Sequence, residues 1–144
     1  MDILFENAKI ITVSDDMPYL DNAYLGTENG KIKYIGTERP TEASARTINA
    51  KGKVLIPGLI NAHTHVPMTL FRGLSDDCEL DVWLREHIWP AEDKLTNESV
   101  LAGTSLAVAE MLASGTTSFS DSYFFVDAIA EVAMSSGIKA NLSR

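Results

Sequence analysis

The hydrophobic pattern of the chain changes near residue 58. Before this point, short apolar or β-branched segments alternate with turn-forming residues, a pattern that predicts strands joined by tight turns. These segments are residues 3–5, 9–13, 23–27, 31–35, 48–50 and 53–56. Beyond it, apolar segments of strand length alternate with longer segments of helical pattern, which indicates parallel strands connected by helices.

Two turn sequences predict hairpins in the first part of the chain. Asn29-Gly30 lies between two predicted strands, and such a pair is the strongest short-range indication of a hairpin because both residues tolerate positive φ. Lys51-Gly52 predicts a second hairpin between the last two segments. We therefore expect residues 1–56 to form a small β-domain that serves as a scaffold.

The second part predicts parallel strands alternating with helices. The predicted strands are residues 59–63, 116–120 and 138–142, and the predicted helices are residues 79–88, 96–114 and 126–136. Thr96 can cap the long helix and Gly115 follows its end, whereas the helix before it is expected to end ahead of Pro90. The continuous apolar character of the first strand is typical of a parallel sheet covered on both faces. Right-handed crossovers then give an α/β fold, either a barrel or an open sheet.

Chain length bears on the choice between these two architectures. A (β/α)₈ barrel takes about 250 residues, whereas this chain has 144 residues and holds only the first two or three strands of such a barrel. We therefore expect an N-terminal portion of a longer enzyme, in which the rest of the same polypeptide closes the barrel. An open sheet stabilised by a partner chain is the alternative.

Composition excludes several classes of function. The net charge of −8 argues against a general affinity for nucleic acid or anionic membranes, although not against one nucleoside in a pocket. No apolar segment approaches the roughly 18–20 residues of a membrane span. Cys78 is the single cysteine and excludes an internal disulfide, which fits a cytoplasmic protein. Its acidic neighbours disfavour the thiolate, so we expect no nucleophilic role for it.

Two histidines at the end of the first predicted parallel strand are the leading candidates for chemistry. His63 and His65 are two residues apart, so in a strand their side chains point to the same face, roughly 6.5–7 Å apart along the strand. Thr64 then points the other way. Buried imidazoles need a partner, and a divalent metal such as zinc suits two neutral rings. Two surface histidines, or rings hydrogen-bonded to the backbone, are the alternatives.

The sequence around these histidines resembles the first metal-binding strand of the amidohydrolase superfamily. The resemblance is carried by Ile56-Pro57-Gly58-Leu59-Ile60-Asn61-Ala62-His63-Thr64-His65. It is narrowed by Pro67-Met68-Thr69-Leu70-Phe71-Arg72-Gly73 and by Trp89-Pro90-Ala91-Glu92. These segments are similar to the branch of adenosine-type deaminases that act on 5′-methylthioadenosine and S-adenosylhomocysteine, to which triazine hydrolases are closely related. The resemblance runs over almost the whole chain.

This resemblance implies a fold and a reaction. Residues 1–56 would be part of a β-sandwich, and residues 57–144 would be the first βα units of a TIM-like hydrolase barrel. The reaction would be hydrolytic deamination of a purine nucleoside with one divalent metal ion per subunit, zinc, with iron or manganese as alternatives. His63 and His65 would be two of the metal ligands. The other ligands and the catalytic glutamate belong to later strands, so no catalytic residue is expected within this chain.

Two further residues match substrate-binding positions of this branch. Glu92 matches the position that contacts the ribose hydroxyls, for which a carboxylate is a suitable acceptor; a solvated acid beside Asp93 and Lys94 is the alternative. Arg144 matches an arginine that holds the distal end of the substrate, where its forked donors suit a carboxylate. A disordered last residue is the alternative for Arg144.

Other polar and aromatic residues are given no role in the site. His87 is expected to be packed or hydrogen-bonded rather than to bind the metal. Asp121 is expected in a turn or helix cap, and Arg72 in a surface pair with Asp76 or Asp77. The large apolar side chains that could line a slot for a purine or a thioether fit the protein core better; they are Met68, Phe71, Trp83 and Trp89.

The sequence therefore predicts a zinc-dependent deaminase whose partner is a small nucleoside, with no nucleic acid and no membrane. Other amidohydrolase reactions, of the triazine chlorohydrolase, guanine deaminase or cytosine deaminase type, are alternatives. A non-catalytic structural fragment is a third. The sequence leaves open whether the protein is a homo-oligomer.

Overall fold

The computed structural model describes residues 1–144, which divide into two compact units, Met1–Pro57 and Gly58–Arg144. The first unit contains strands and the second contains both helices and strands, so the mixed α/β class predicted from the sequence is confirmed. No helix of the structure combines the length and apolar character needed to cross a bilayer.

The first unit is a single sheet of five strands. They are β1 (Ile3–Ile11), β2 (Tyr19–Glu28), β3 (Lys31–Gly36), β4 (Arg46–Asn49) and β5 (Val54–Leu55). The order is β3-β2-β1-β4, with β5 also paired to β1. Asn29 and Gly30 have φ of 52° and 72° and join β2 to β3 as an antiparallel pair. The predicted Asn-Gly hairpin is therefore confirmed.

The first two predicted strands, residues 3–5 and 9–13, belong to one strand, which ends at Ile11. β1 continues through the polar residues between them, and its register against β2 shifts on either side of Ala8. Asn7 has a φ of 59°, a conformation that asparagine tolerates better than most residues. An irregularity of this kind interrupts the hydrogen-bond ladder locally, and pairing with β2 resumes beyond it.

The second predicted hairpin is wrong, because β4 and β5 do not pair with each other. Both lie parallel to β1 along the same edge. Gly52 has a φ of 77°, and the Lys53 N–H donates to the Ala50 carbonyl over 2.9 Å. Lys51-Gly52 thus forms a short turn that returns the chain to the same partner strand. Ala50 is buried with Ala8, which gives the parallel arrangement its apolar contact.

The second unit is built on a parallel sheet. In chain order it contains β6 (Leu59–Thr64), a 3₁₀ helix (Val66–Phe71), α1 (Leu80–Val82), a π-helical turn (Trp83–Ile88), α2 (Trp89–Glu92), α3 (Asn97–Ala113), β7 (Thr116–Ser122), α4 (Val126–Ser136) and β8 (Lys139–Ser143). The strands pair in parallel in the order β6-β7-β8. The predicted parallel strands and their two crossover helices are confirmed.

The ends and packing of α3 follow from its sequence. The Thr96 hydroxyl accepts from the Ser99 N–H while the Ser99 side chain accepts from the Thr96 N–H, which is a capping box. Gly115, at φ 86°, follows the end of the helix. A Cβ atom on Gly103 would lie 2.9 Å from the Pro67 carbonyl oxygen. Glycine therefore allows α3 to approach the 3₁₀ helix that follows β6.

The helix predicted to end before Pro90 continues to Glu92. The Trp89 N–H donates to the Leu84 carbonyl, five residues back, and Pro90 follows directly in α2. Proline has no N–H to donate and is tolerated in the first turn of a helix. A change of hydrogen-bond pattern from α to π and back carries the helix through the proline.

One face of the parallel sheet is covered and the other is open. Phe119 of β7 is buried in the core formed with α3 and α4. Ser118 and Ser120, which alternate with it and so point the other way, line a groove with Ile60. Ile60 is 72% exposed. The apolar pattern of the first parallel strand is typical of a sheet covered on both faces, and the residues of this chain cover only one of them.

Candidate metal and substrate site

The two histidines of the predicted metal site lie side by side at the carboxyl end of β6. The ring centres of His63 and His65 are 5.2 Å apart and the planes are inclined by 78°. Both residues are exposed rather than buried, because no part of this chain covers the open end of the strand. The arrangement of the rings is the one expected from strand alternation, and their exposure is the difference from the prediction.

A backbone carbonyl selects the tautomer of one ring in its neutral form. Nδ1 of His65 lies 2.7 Å from the Ser122 carbonyl oxygen at the end of β7. A carbonyl only accepts hydrogen bonds, so the proton of the neutral ring is on Nδ1 and the lone pair is on Nε2. Histidines that bind metals have this arrangement, in which the nitrogen that does not bind the metal is held by a hydrogen bond.

The donor set of this chain fits part of a zinc site. With Zn–N bonds of about 2.0–2.1 Å and tetrahedral angles, the centres of two imidazole rings on one ion lie roughly 5 Å apart, close to the separation of His63 and His65. No group of three or more His, Cys, Asp or Glu side chains in the structure could hold a metal ion. His87 therefore does not complete the set, and the chain offers two imidazoles where a zinc site needs at least three protein ligands.

Asp121 supports the segment that follows these histidines. Its side chain is 3% exposed, and its Oδ1 accepts a hydrogen bond of 2.7 Å from the Val66 N–H, where the 3₁₀ helix begins. Burial raises the pKa of Asp121, while the Val66 N–H and the nearby His65 favour the charged carboxylate. Asp121 thus lies within β7, not in the turn or helix cap expected for it, and it accepts a hydrogen bond from the backbone just after His65.

A cavity of about 350 Å³ brings three of the four predicted site residues together. His65, Glu92 and Arg144 line it, whereas His63 does not. Most other lining side chains are apolar or aromatic. A largely apolar concave site with a few polar groups at its wall is typical of small-molecule binding.

Glu92 is held by a tyrosine that the sequence did not indicate. It is the last residue of α2 and is partly buried, whereas Asp93 and Lys94 are exposed. Tyr123 Oη donates to Glu92 Oε1 over 2.6 Å. Burial raises the pKa of Tyr123, and the neighbouring Glu92 acts in the same direction, so the phenol stays protonated as a donor. This contact argues against the alternative of a freely solvated acid at position 92.

Arg144 lies just beyond the end of β8 and is exposed. It lines the cavity together with Ser122, the last residue of the neighbouring strand β7, and Tyr123, which follows that strand. Its guanidinium makes no ion pair with a carboxylate of this chain. The group is therefore available to an anionic ligand.

The large apolar side chains divide between the cavity and its surroundings. Met68, Trp83 and Trp89 line the cavity. Met68 also packs against the core of the second unit, as expected, whereas the core expectation is wrong for Trp89, which is 48% exposed. Phe71 lines a different groove. Arg72 is also placed differently from the prediction: it forms a two-pronged pair with Glu110 of α3, at 2.9 and 2.6 Å, instead of pairing with Asp76 or Asp77. These contacts depend on which elements pack together, which short-range patterns do not reveal.

Sequence reasoning missed Ser122, Tyr123 and Phe124, which also line the cavity. The available signal was their position, since functional groups of barrels lie at the carboxyl ends of parallel strands. Residues 116–120 were predicted as a strand, so the residues directly after it were candidates. Tyr123 is hard to recognise because a buried tyrosine usually belongs to the core, and its ring does pack there.

Comparisons with known proteins identify the family that the sequence resemblance indicates, over most of the chain. The model of the Amidohydrolase family matches residues 54–143. The chain is 50% identical over 143 residues to the 5′-deoxyadenosine deaminase of Methanosarcina mazei, covering 99% of this chain and 33% of the relative. It is 46% identical over 145 residues to the 5-methylthioadenosine/S-adenosylhomocysteine deaminase of Syntrophomonas wolfei, covering 100% of this chain and 34% of the relative.

A solved structure is similar over the same extent. The adenosine deaminase from Xanthomonas campestris with bound zinc superposes with a TM-score of 0.88 at 41% identity, covering 96% of this chain and 33% of that structure. The chain thus spans about one third of the length of the relatives it matches.

Proposed function

The chain belongs to the amidohydrolase family, and on this premise we propose that it contributes metal and substrate contacts to an enzyme that deaminates purine nucleosides. The names of its relatives support 5′-deoxyadenosine, 5′-methylthioadenosine and S-adenosylhomocysteine as candidate substrates. In this reaction water adds to the purine carbon that bears the amino group and ammonia leaves, which yields the inosine analogue. The chain corresponds to about a third of such an enzyme.

His63 and His65 would hold one divalent metal ion, zinc, with Nε2 as the free nitrogen of His65. When bound, zinc supplies the Lewis acidity that makes water a nucleophile near neutral pH. The chain's own residues orient the ligands: the Ser122 carbonyl fixes the His65 ring, and Asp121 fixes the backbone after it. The remaining ligands and the proton-transferring carboxylate would come from residues outside this chain.

One observation carries the proposal: β6, α2 and the end of β8 bring His65, Glu92 and Arg144 to a single cavity. Glu92 would accept hydrogen bonds from the ribose hydroxyls. Arg144 would bind a carboxylate when the substrate carries one. Met68 and Trp83 also line the cavity and would offer an apolar surface to a thioether.

The finer architecture belongs to the same proposal. β6, β7 and β8 would be the first strands of a (β/α)₈ barrel, whose active site lies at the carboxyl ends of the strands. Residues 1–56 would be part of a β-sandwich. The exposed Ile60 and the open face of the sheet support a barrel interior that further strands complete.

The substrate is tested by assaying the full-length protein that carries this chain. We expect ammonia from 5′-deoxyadenosine, 5′-methylthioadenosine or S-adenosylhomocysteine, and none from guanine or cytosine. Chloride release from a chlorotriazine without nucleoside deamination, or ammonia from guanine or cytosine alone, would contradict the proposal.

The metal site is tested by measuring bound zinc in the same protein. We expect His63→Ala and His65→Ala each to reduce the zinc content strongly, because each substitution removes one of the proposed metal ligands. His87→Ala is the matched control and should keep the wild-type content, since this ring is not part of the donor set. Unchanged zinc in both ligand variants would refute the assignment.

A further inference from the structure

Tyr123 links the metal end of the cavity to its substrate-binding carboxylate. Its phenol donates to Glu92 over 2.6 Å, and its ring centre is 6.0 Å from that of His65. We propose that Tyr123 is a positioning residue that holds the Glu92 carboxylate in the orientation that binds the ribose hydroxyls. This inference rests on the proposed function and adds a determinant of sugar recognition to it.

The surroundings of Tyr123 leave the phenol little freedom. The residue is 7% exposed, and its N–H donates to the Ser143 carbonyl over 3.2 Å. Its ring also packs against Phe124, with the ring centres 5.2 Å apart. The backbone is therefore tied to β8 and the ring is enclosed, so Oη is presented to Glu92 by a rigid support.

The hydrogen bond occupies only part of the acceptor capacity of Glu92. A carboxylate has two oxygens and about four lone-pair sites, and Tyr123 uses one of them on Oε1. Oε2 remains for the adjacent hydroxyls of a ribose. Fixing one oxygen sets the plane of the carboxylate, so the substrate does not have to order that side chain on binding.

The inference is tested with Tyr123→Phe in the full-length enzyme, which removes the hydroxyl and keeps the ring. We expect KM for a ribonucleoside substrate to rise about tenfold, in keeping with the loss of a hydrogen bond to a charged group, while kcat changes little. For the matching 2′,3′-dideoxynucleoside, which offers no hydroxyl pair to Glu92, KM should be the same in wild type and variant. A structural defect at the metal would instead lower kcat for both substrates.

Two further variants make the test specific. Tyr34→Phe is the matched control, because Tyr34 also donates its hydroxyl over 2.6 Å, to the Glu38 carbonyl in the first unit; its KM should equal that of wild type. Glu92→Ala examines the pair from the other side. Adding Tyr123→Phe to Glu92→Ala should raise KM no further, because the carboxylate that Tyr123 orients has already been removed.

The possible results separate this inference from the proposed function. An unchanged KM in Tyr123→Phe, an equal rise for the dideoxynucleoside, or additive effects with Glu92→Ala would overturn the positioning role while wild type still deaminates nucleosides. A wild-type enzyme that deaminates no nucleoside would overturn the proposed function and this inference together.

Discussion

Arg144 is the residue whose role depends most on the substrate. Its guanidinium borders the cavity and pairs with no carboxylate of the chain. If it binds the carboxylate of S-adenosylhomocysteine, Arg144→Met should raise KM for that substrate at least about tenfold, the usual cost of losing a charge-assisted hydrogen bond. KM for 5′-methylthioadenosine, which has no carboxylate, should stay within about twofold. Steady-state kinetics on the full-length protein measures both.

An exposed arginine elsewhere in the second unit provides the control for that comparison. Arg85 pairs with Asp81 and lies over the Trp89 ring, and it does not line the cavity. Arg85→Met removes a positive charge of the same kind but leaves Arg144, the proposed partner of the substrate carboxylate, in place. Equal rises of KM for both substrates in Arg144→Met would show that the residue shapes the cavity rather than recognising a carboxylate.

Asp121 gives a prediction about stability. Asp121→Ala leaves the Val66 N–H without its buried acceptor, so the free energy of unfolding of the metal-free protein should fall by about 1–3 kcal/mol. Asp121→Asn keeps an oxygen that can accept the same hydrogen bond, and we expect a smaller loss. Urea denaturation measures both. If Asn destabilises as much as Ala, the negative charge beside His65 matters more than the hydrogen bond.

Strand alternation was sufficient to place the two candidate metal ligands, but not Tyr123. Side chains two residues apart in a strand point to the same face, so the relation between His63 and His65 is set within one strand. The contact between Tyr123 and Glu92 joins residues 31 positions apart, and it exists because the end of β7 lies opposite α2. Such a pairing is set by tertiary packing, which a single sequence does not specify.

At the scale of elements, the pair between Arg72 and Glu110 connects the end of the 3₁₀ helix to α3. The hydrogen bond and the charge of Arg72 lower the pKa of Glu110. A carboxyl group whose pKa is lower in the folded than in the unfolded state stabilises the fold above its unfolded pKa, near 4.5, and this contribution is lost as the pH falls through the lowered value. The pair should therefore stabilise the protein at neutral pH and not in strong acid.

A double-mutant cycle with Arg72→Met and Glu110→Gln measures this contribution. We expect a favourable coupling at pH 7 that decreases below about pH 4.5. Both side chains are largely exposed, so about 1 M salt should also weaken the coupling at pH 7. A coupling that stays constant from neutral to acid pH would mean that the two residues interact through packing instead of charge.

The two predicted hairpins show how far short-range signals reach. Asn29-Gly30 specifies its turn because two successive residues must adopt positive φ. In Lys51-Gly52 only Gly52 does so, and the chain continues along β1 instead of reversing. Pro90 is likewise a short-range signal that fails. Its missing N–H would normally end the helix, but the π-helical turn before it lets the helix continue.

At the scale of the whole molecule, the chain has a cavity lined by three of the proposed site residues but only two of the proposed metal ligands. His65, Glu92 and Arg144 converge on one cavity, while only two imidazoles are available to a metal ion. The chain spans about a third of the length of its relatives. Substrate contacts and metal retention should therefore depend to different degrees on residues outside this chain.

Zinc retention tests this division directly. We expect the 144-residue chain alone to lose added zinc during dialysis against a weak chelator, because two histidines leave half of a tetrahedral site to water. The full-length protein should keep about one zinc ion per chain under the same conditions, and His65→Ala in that protein should behave like the short chain. If the short chain kept one zinc ion through dialysis and lost it on His65→Ala, its own residues would complete the site. The second unit would then bind zinc without ligands from outside this chain.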